Sequence, residues 1–230
     1  MGGDVLRGLR KLAVVAADYA FAVRHQLRAG LDRSDPGVLV RSAGQRIPVV
    51  LLPGVYETWR FLLPLARHLH ERGHPVHIVN TLRWNVSTIA EGSARVAAYL
   101  EHADLDRVAI VAHSKGGLIA KHLMETPGVG RKVVRAITVA TPFAGSTLAR
   151  FVPLPTVRAL GPSGAEVLEL ARRTSANARI VAVSPDFDPH IPGGSHLDGA
   201  TNIRLGISGH FRVLGSRELF DVLDECLDEV

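Results

Sequence analysis

The sequence predicts an α/β fold, a mostly parallel sheet with helices on both faces and at most a small lid. Three observations lead there. Short runs rich in Val, Ile, Leu and Ala alternate with longer amphipathic segments, and a parallel sheet covered on both faces has strands of this kind, read as continuous apolar runs. Composition is globular, with 47% hydrophobic and 21% charged among 230 residues, and no apolar stretch reaches the roughly 18 residues needed to span a bilayer. The third observation is a serine between small residues, Ala112-His113-Ser114-Lys115-Gly116-Gly117, set between an apolar run and a helical pattern.

Taken in order, residues 1–35 are expected to form one amphipathic helix and residues 36–230 a single α/β domain. In the first segment Val5, Leu9, Leu12, Ala16, Tyr19, Ala20, Val23 and Leu27 recur at spacings of three and four, with Arg7, Arg10, Lys11, Asp18, His25 and Arg28 on the opposite side. Apolar stripes usually face protein, so this one is expected to dock on its own domain or to join a homo-oligomer. Peripheral contact with an anionic membrane is the sharper alternative. A signal peptide fits poorly, because Asp18 interrupts the apolar centre and arginines resume at Arg24. A cytoplasmic location follows, with or without membrane association, and secretion is not excluded.

Strands are expected over 38–40, 47–52, 76–80, 108–112, 133–140, 178–183 and 202–207, and helices over 57–72, 87–102, 114–125, 164–174 and 216–228. Between residues 146 and 174 the chain is longer than a crossover requires and carries Pro153, Pro155 and Pro162, which suggests a short flap.

A serine hydroxyl is a poor nucleophile unless a base sits against it and its oxygen stands clear of the backbone. A strained strand-to-helix turn provides the second condition, and Ala112 and Gly116, two residues either side of Ser114, leave room for the bend. Gly117 lets the next helix approach the sheet. An acid and then a histidine should follow at the ends of later strands. After the run at 178–183 come Asp186 and Asp188 on a Pro-rich turn; Asp188, with Ile191-Pro192 three and four residues on, is the expected acid, and Asp186 is expected to cap or brace the loop. After the run at 202–207, Gly209 allows the chain to swing His210 back over the sheet edge as the base. Acyl transfer also needs two N–H groups aimed at the developing oxyanion. Lys115, directly after the nucleophile, is expected to supply one, and Val55, after the run at 47–52 and Pro53-Gly54, the other.

These residues resemble the small bacterial lipases and esterases of the α/β-hydrolase fold, over a region from Ile47 to the C-terminus. The resemblance rests on the A-H-S-x-G-G elbow at Ala112 to Gly117, on Thr141-Pro142-Phe143-Ala144-Gly145-Ser146, which is similar to the lipase T-P-H-x-G-S turn, and on Gly209-His210. Two departures stand out: Pro53-Gly54 where the family commonly has His-Gly, and Phe143 where a histidine often follows Thr-Pro. Neither removes a triad member. The resemblance implies hydrolysis of a small-molecule or lipid carboxylic ester, with no cofactor and no metal. Acyl transfer, thioester cleavage or amide cleavage would use the same triad, and a non-catalytic relative would bind a partner or membrane.

Other residues invite chemistry without demanding it. The net charge of +5 could attract nucleic acid, but the arginines are scattered and aromatics make up only 5% of the chain, so no nucleic-acid partner is expected. Cys226 lies in an acidic helical segment and is expected to be structural. His68, His70, His74 and His77 fall on different sides of a helix, a turn and a strand. His113 is too close to Ser114 to be its base and is expected to line or underlie the sheet top. Trp59 and Phe61 fit either an acyl-pocket wall or the core.

Overall fold

The computed structural model describes residues 2–33, 35–41 and 44–230, with the backbone alone for residues 2–7. Among the described residues six strands form one sheet: β1 Val49–Leu52, β2 Val76–Ile78, β3 Val108–His113, β4 Val133–Val139, β5 Ile180–Ser184 and β6 Thr201–Arg204. Their order in space is β2-β1-β3-β4-β5-β6, and each neighbouring pair is parallel. The helices are α1 Gly2–Leu31, α2 Val38–Arg41, α3 Leu63–Glu71, α4 Ile89–His102, α5 Lys115–Met124, α6 Pro155–Arg158, α7 Ala165–Arg172 and α8 Arg217–Asp228.

Successive strand residues face opposite sides of a sheet, and both sides are largely buried from β1 to β5, while the edge strand β6 is mostly exposed. Val49, Leu51, Ala109, Val111, Ile137, Val139, Val181 and Val183 point to one face, where Leu65 and Leu69 of α3 and Leu219 and Leu223 of α8 cover them. Val50, Leu52, Ile110, Ala112, Ala136, Ile180 and Ala182 point to the other, under α4, α5 and α7. Each such Leu or Val contributes about 1.5–3 kcal/mol on burial, which explains the unbroken apolar runs of the sequence. Helix starts are fixed locally: Thr88 and Glu91 form a reciprocal capping box at α4, and Ser216 accepts the Leu219 amide at α8.

Two sequence expectations are corrected. Residues 38–40 are not a strand but part of α2, because Asp35 and Pro36 start a helical turn: the Val38 amide bonds Asp35 O at 3.2 Å and the Leu39 amide bonds Pro36 O at 3.1 Å. The β propensity of two valines does not prevail without a neighbouring strand to pair with. The second correction concerns α1, which packs on the domain through the face carrying Asp18, Phe21, Ala22, His25 and Ala29. The expected docking stripe faces outward instead, with Leu12 67% and Leu27 65% exposed, while Asp18 is fully buried. Val5 and Arg7, assigned to the two sides of this helix, have side chains outside the described residues.

The strand order places the site. From β1 the chain moves outward to β2, then returns past β1 to β3, so the loops leaving β1 and β3 diverge at their carboxyl ends. In open parallel sheets that divergence leaves a crevice.

Candidate active site

Ser114 follows the last residue of β3 and precedes α5, with φ +50° and ψ −119°. L-residues seldom adopt this backbone, which costs about 1–3 kcal/mol and persists only where surroundings enforce it. The Ser114 amide is held by Val139 O at 2.8 Å. A Cβ at Gly116 would lie 2.4 Å from Leu52 O, and one at Gly117 would lie 2.0 Å from Thr141 Oγ1. Any side chain at either position would push α5 off the sheet, so these two glycines permit the sharp turn.

Asp188 and His210 come from the loops after β5 and β6. These loops run side by side, with the Asp186 amide bonded to Ile207 O and the Gly209 amide to Phe187 O, both at 2.8 Å. Gly209 has φ +121°, a conformation that aims His210 back over the sheet. His210 Nδ1–H then donates to Asp188 Oδ2 at 2.8 Å, leaving Nε2 as the proton acceptor. The other carboxylate oxygen, Oδ1, accepts the amides of His190 and Ile191 at 2.7 and 3.0 Å. Burial alone would raise the Asp188 carboxyl, but the charge and hydrogen bond of His210, with the His190 amide, hold it below the usual carboxylate range. Asp186 does brace the loop: it is half exposed and pairs with Arg204 at 2.8 Å.

His113, the residue before Ser114, has its ring centroid 4.8 Å from that of His210. The loop after β1 lies across from them. There Gly54 N donates to Glu57 Oε2 at 2.7 Å and Tyr56 N to Trp84 O at 2.8 Å. Among the described residues the Val55 amide between them makes no hydrogen bond, and neither does the Lys115 amide. The Lys115 side chain is structural: its ammonium caps Asn85 O at 2.9 Å and Ser87 O. Asn85 Nδ2 in turn donates to Pro53 O at 2.7 Å, so Lys115 braces the β1 loop from below. Burial lowers the Lys115 pKa to about 8.

Compared as a sequence, the chain matches no family model and no curated protein. Compared as a structure, it is similar to a Bacillus licheniformis lipase in its mature form, at 17% identity and TM-score 0.65, over 82% of this chain and 95% of that one. It is also similar to an enol-lactonase from Burkholderia xenovorans, at 13% identity and TM-score 0.56 over 80% and 92% of the two chains. An extracellular α/β-hydrolase from a Paenibacillus species aligns at 15% identity and TM-score 0.55, over 78% and 98%. The chain has the α/β-hydrolase fold.

Within this hydrolase fold three further groups support the histidine, and none was singled out for that role in the sequence. Glu57 lies 2.9 Å from His113 Nδ1, and His113 Nε2 donates to His210 O at 3.1 Å. Because a carbonyl only accepts, that nitrogen carries a proton, and the carboxylate at the other nitrogen favours a second. Full burial works against the charged ring, yet Glu57 and the His210 carbonyl outweigh it and raise the His113 pKa. A buried carboxylate–imidazole pair thus ties the β1 loop to the histidine loop. The spacing of Glu57, three residues past Gly54, was the available signal.

Asp18 is the second group, from the N-terminal helix rather than from the sheet. Its Oδ2 accepts the His210 amide at 3.0 Å, and Oδ1 accepts the amides of Phe211 and Arg212, each at 2.9 Å. A Cβ at Gly209 would lie 2.5 Å from Asp18 Oδ1, so glycine there also makes way for this carboxylate. Asp18→Ala would strand three amides, each worth about 1–3 kcal/mol when buried without a partner. The expected result is a clear fall in melting temperature and a loss of about 100-fold in kcat with KM nearly unchanged, since an ångström of misplacement is costly. Thermal unfolding and steady-state kinetics on an ester that the wild type cleaves check it.

His190 is the third. Its ring centroid lies 4.7 Å from that of His210, and its Nε2 is buried with no hydrogen-bond partner among the described residues. Burial, then the nearby charge of His210, lowers its pKa from 6.5 to about 4. The unfolded chain takes up a proton near 6.5 that the folded chain refuses until about 4, so His190's contribution is complete above 6.5 and is lost as pH falls through that window. The loss is about 3 kcal/mol at one pKa unit per 1.36 kcal/mol. His190→Phe is expected to flatten the melting temperature between those pH values, and an unchanged slope would remove His190 as its source.

The remaining candidates have ordinary partners. His68 pairs with Asp224 at 2.9 Å, His70 and His74 bond the carbonyls of Leu39 and Ile47, and His77 bonds the Tyr99 hydroxyl. Trp59, Phe61 and Cys226 pack in one face of the core, and Phe143 packs in the other, 5.9 Å from the Lys121 ammonium.

Proposed function

We propose that this protein is a serine hydrolase that cleaves carboxylic esters through an acyl-enzyme on Ser114. The observation that carries this reading is the hydrogen bond between His210 and Asp188, with His210 packed against His113, the residue before a serine in the strained elbow conformation at the end of β3. His210 Nε2 takes the Ser114 proton as Oγ attacks the ester carbon, and Asp188 holds the ring in the tautomer that leaves Nε2 free. The Val55 and Lys115 amides, unpaired among the described residues, receive the tetrahedral oxyanion. His210 then returns the proton to the departing alkoxide, giving the alcohol and the acyl-enzyme. Water, deprotonated by His210, attacks the acyl carbon; collapse releases the carboxylic acid and returns the proton to Ser114. Ser114 Oγ makes no hydrogen bond among the described residues, and contacts of this kind commonly close only when substrate is bound.

The test is a p-nitrophenyl ester series from acetate to palmitate, comparing wild type with Ser114→Ala. Release of p-nitrophenol that vanishes in the folded variant supports the reading, and the chain-length optimum separates an esterase from a lipase. No turnover on any ester by folded wild-type protein counts against it and moves the triad to acyl transfer, thioester or amide chemistry.

A further inference from the structure

We propose that the outward face of α1 docks this protein on the surface of an anionic lipid bilayer, lying along it rather than crossing it. The helix uses one stripe to hold the domain, with Asp18 and Ala29 buried, and leaves a second stripe in solvent: Leu9 58%, Leu12 67%, Tyr19 50%, Val23 57%, Leu27 65% and Leu31 82% exposed. With exposed Ala16 between Leu12 and Tyr19, spacings of three and four from Leu9 to Leu31 make this a continuous band, and extended apolar surface bands mark contact sites.

Its charges select the occupant. Arg10, Arg24 and Arg28 are exposed on this helix, Arg24 and Arg28 border the band directly, and Lys11 lies on the domain side over the Phe187 ring, 5.4 Å from its centroid. From Gly8 to Leu31 the sole acid is Asp18, and it is buried beneath the amides of residues 210–212. The surface therefore presents apolar side chains and cations with no anion between them. Pairing with a second copy through the same face would bring two sets of these cations together unneutralised. A bilayer with anionic headgroups supplies both what the cations and what the apolar band lack. No described helix is long and apolar enough to cross a membrane, which fits a helix lying in the interface.

The band is also placed beside the candidate site. The Tyr19 ring lies 5.4 Å from His190, itself next to His210. On the other side of His190, the Ser146 hydroxyl donates to His190 O at 2.5 Å, and the segment that follows exposes Leu148 40%, Phe151 69% and Leu154 42%.

The experiment is co-sedimentation of the full chain with phosphatidylcholine vesicles and with phosphatidylcholine–phosphatidylglycerol vesicles, which reads binding without any turnover. Wild type is expected to bind the anionic vesicles about tenfold more strongly, less so in high salt. Val23→Glu with Leu27→Glu should lose at least about tenfold of that binding while keeping the wild-type melting temperature, and Arg24→Gln with Arg28→Gln should lose the preference for phosphatidylglycerol. Equal binding by the Glu variant would overturn the proposal. So would absence of vesicle binding, whether the chain stays a monomer or forms, by light scattering, a dimer that the Glu substitutions dissolve.

Discussion

Ser114→Ala is expected to lower kcat on a p-nitrophenyl ester by at least about 10⁴-fold, with the melting temperature within a few degrees of wild type. In the proposed mechanism the Ser114 hydroxyl oxygen forms the acyl-enzyme, and nothing nearby can replace it: His113 is committed to Glu57 and His210 O, and the Lys115 ammonium is held by the carbonyls of Asn85 and Ser87. What survives is the oxyanion hole and binding, which alone leave residual catalysis over water. Alanine tolerates the backbone of position 114 as well as serine does, so the elbow stays folded. Kinetics alongside thermal unfolding check both halves.

Asp188→Asn is expected to cost about 10⁴-fold in kcat, and Asp186→Asn no more than a few-fold. At 188 the amide substitution presents an N–H or a weaker acceptor to His210 Nδ1, favouring the tautomer whose Nε2 already carries a proton and cannot take one from Ser114. It also weakens the acceptor for the His190 and Ile191 amides. At 186 the carboxylate is half exposed and pairs with Arg204 in solvent, an arrangement worth about 0–1 kcal/mol. The reverse order of effects would mean that the acid is misassigned. Deuterium-free NMR of the His210 Nδ1 proton in wild type and each variant gives an independent readout of the tautomer.

Much of this was legible from sequence because burial speaks through composition. Strands covered on both faces must be apolar throughout, so the runs at 47–52, 108–112 and 133–140 announced β1, β3 and β4 within two or three residues. Turn chemistry placed Asp188 and His210, since Asp188 follows a buried run and a Pro-bearing turn and His210 follows the exposed edge strand β6 and Gly209, and the structure brings them to 2.8 Å. The run at 38–40 misled because three apolar residues carry no record of whether a partner strand exists.

The supporting groups were harder to see for a different reason. On α1 two stripes share helical spacing, and ranking them by hydrophobicity selects Leu9, Leu12, Val23 and Leu27, which face outward. The docking face is decided instead by three amides at 210–212 that need an acceptor, and that need is written nearly two hundred residues away from Asp18. Glu57 and His113 are similar: each is an unremarkable residue until the fold brings them to 2.9 Å. Long-range hydrogen bonds of this kind leave no periodicity behind them.

Every step proposed for this site depends on Ser114 being a nucleophile activated by His210. Intact-mass and peptide-mapped labelling with a fluorophosphonate tests that dependence, because the reagent reacts with an activated serine whatever the natural ester is. The expected result is a single phosphonyl adduct on Ser114 in wild type, absent in Ser114→Ala and at least about 100-fold slower in His210→Ala, where the general base is gone. No adduct on the folded wild-type protein, or an adduct that persists in Ser114→Ala, would contradict it.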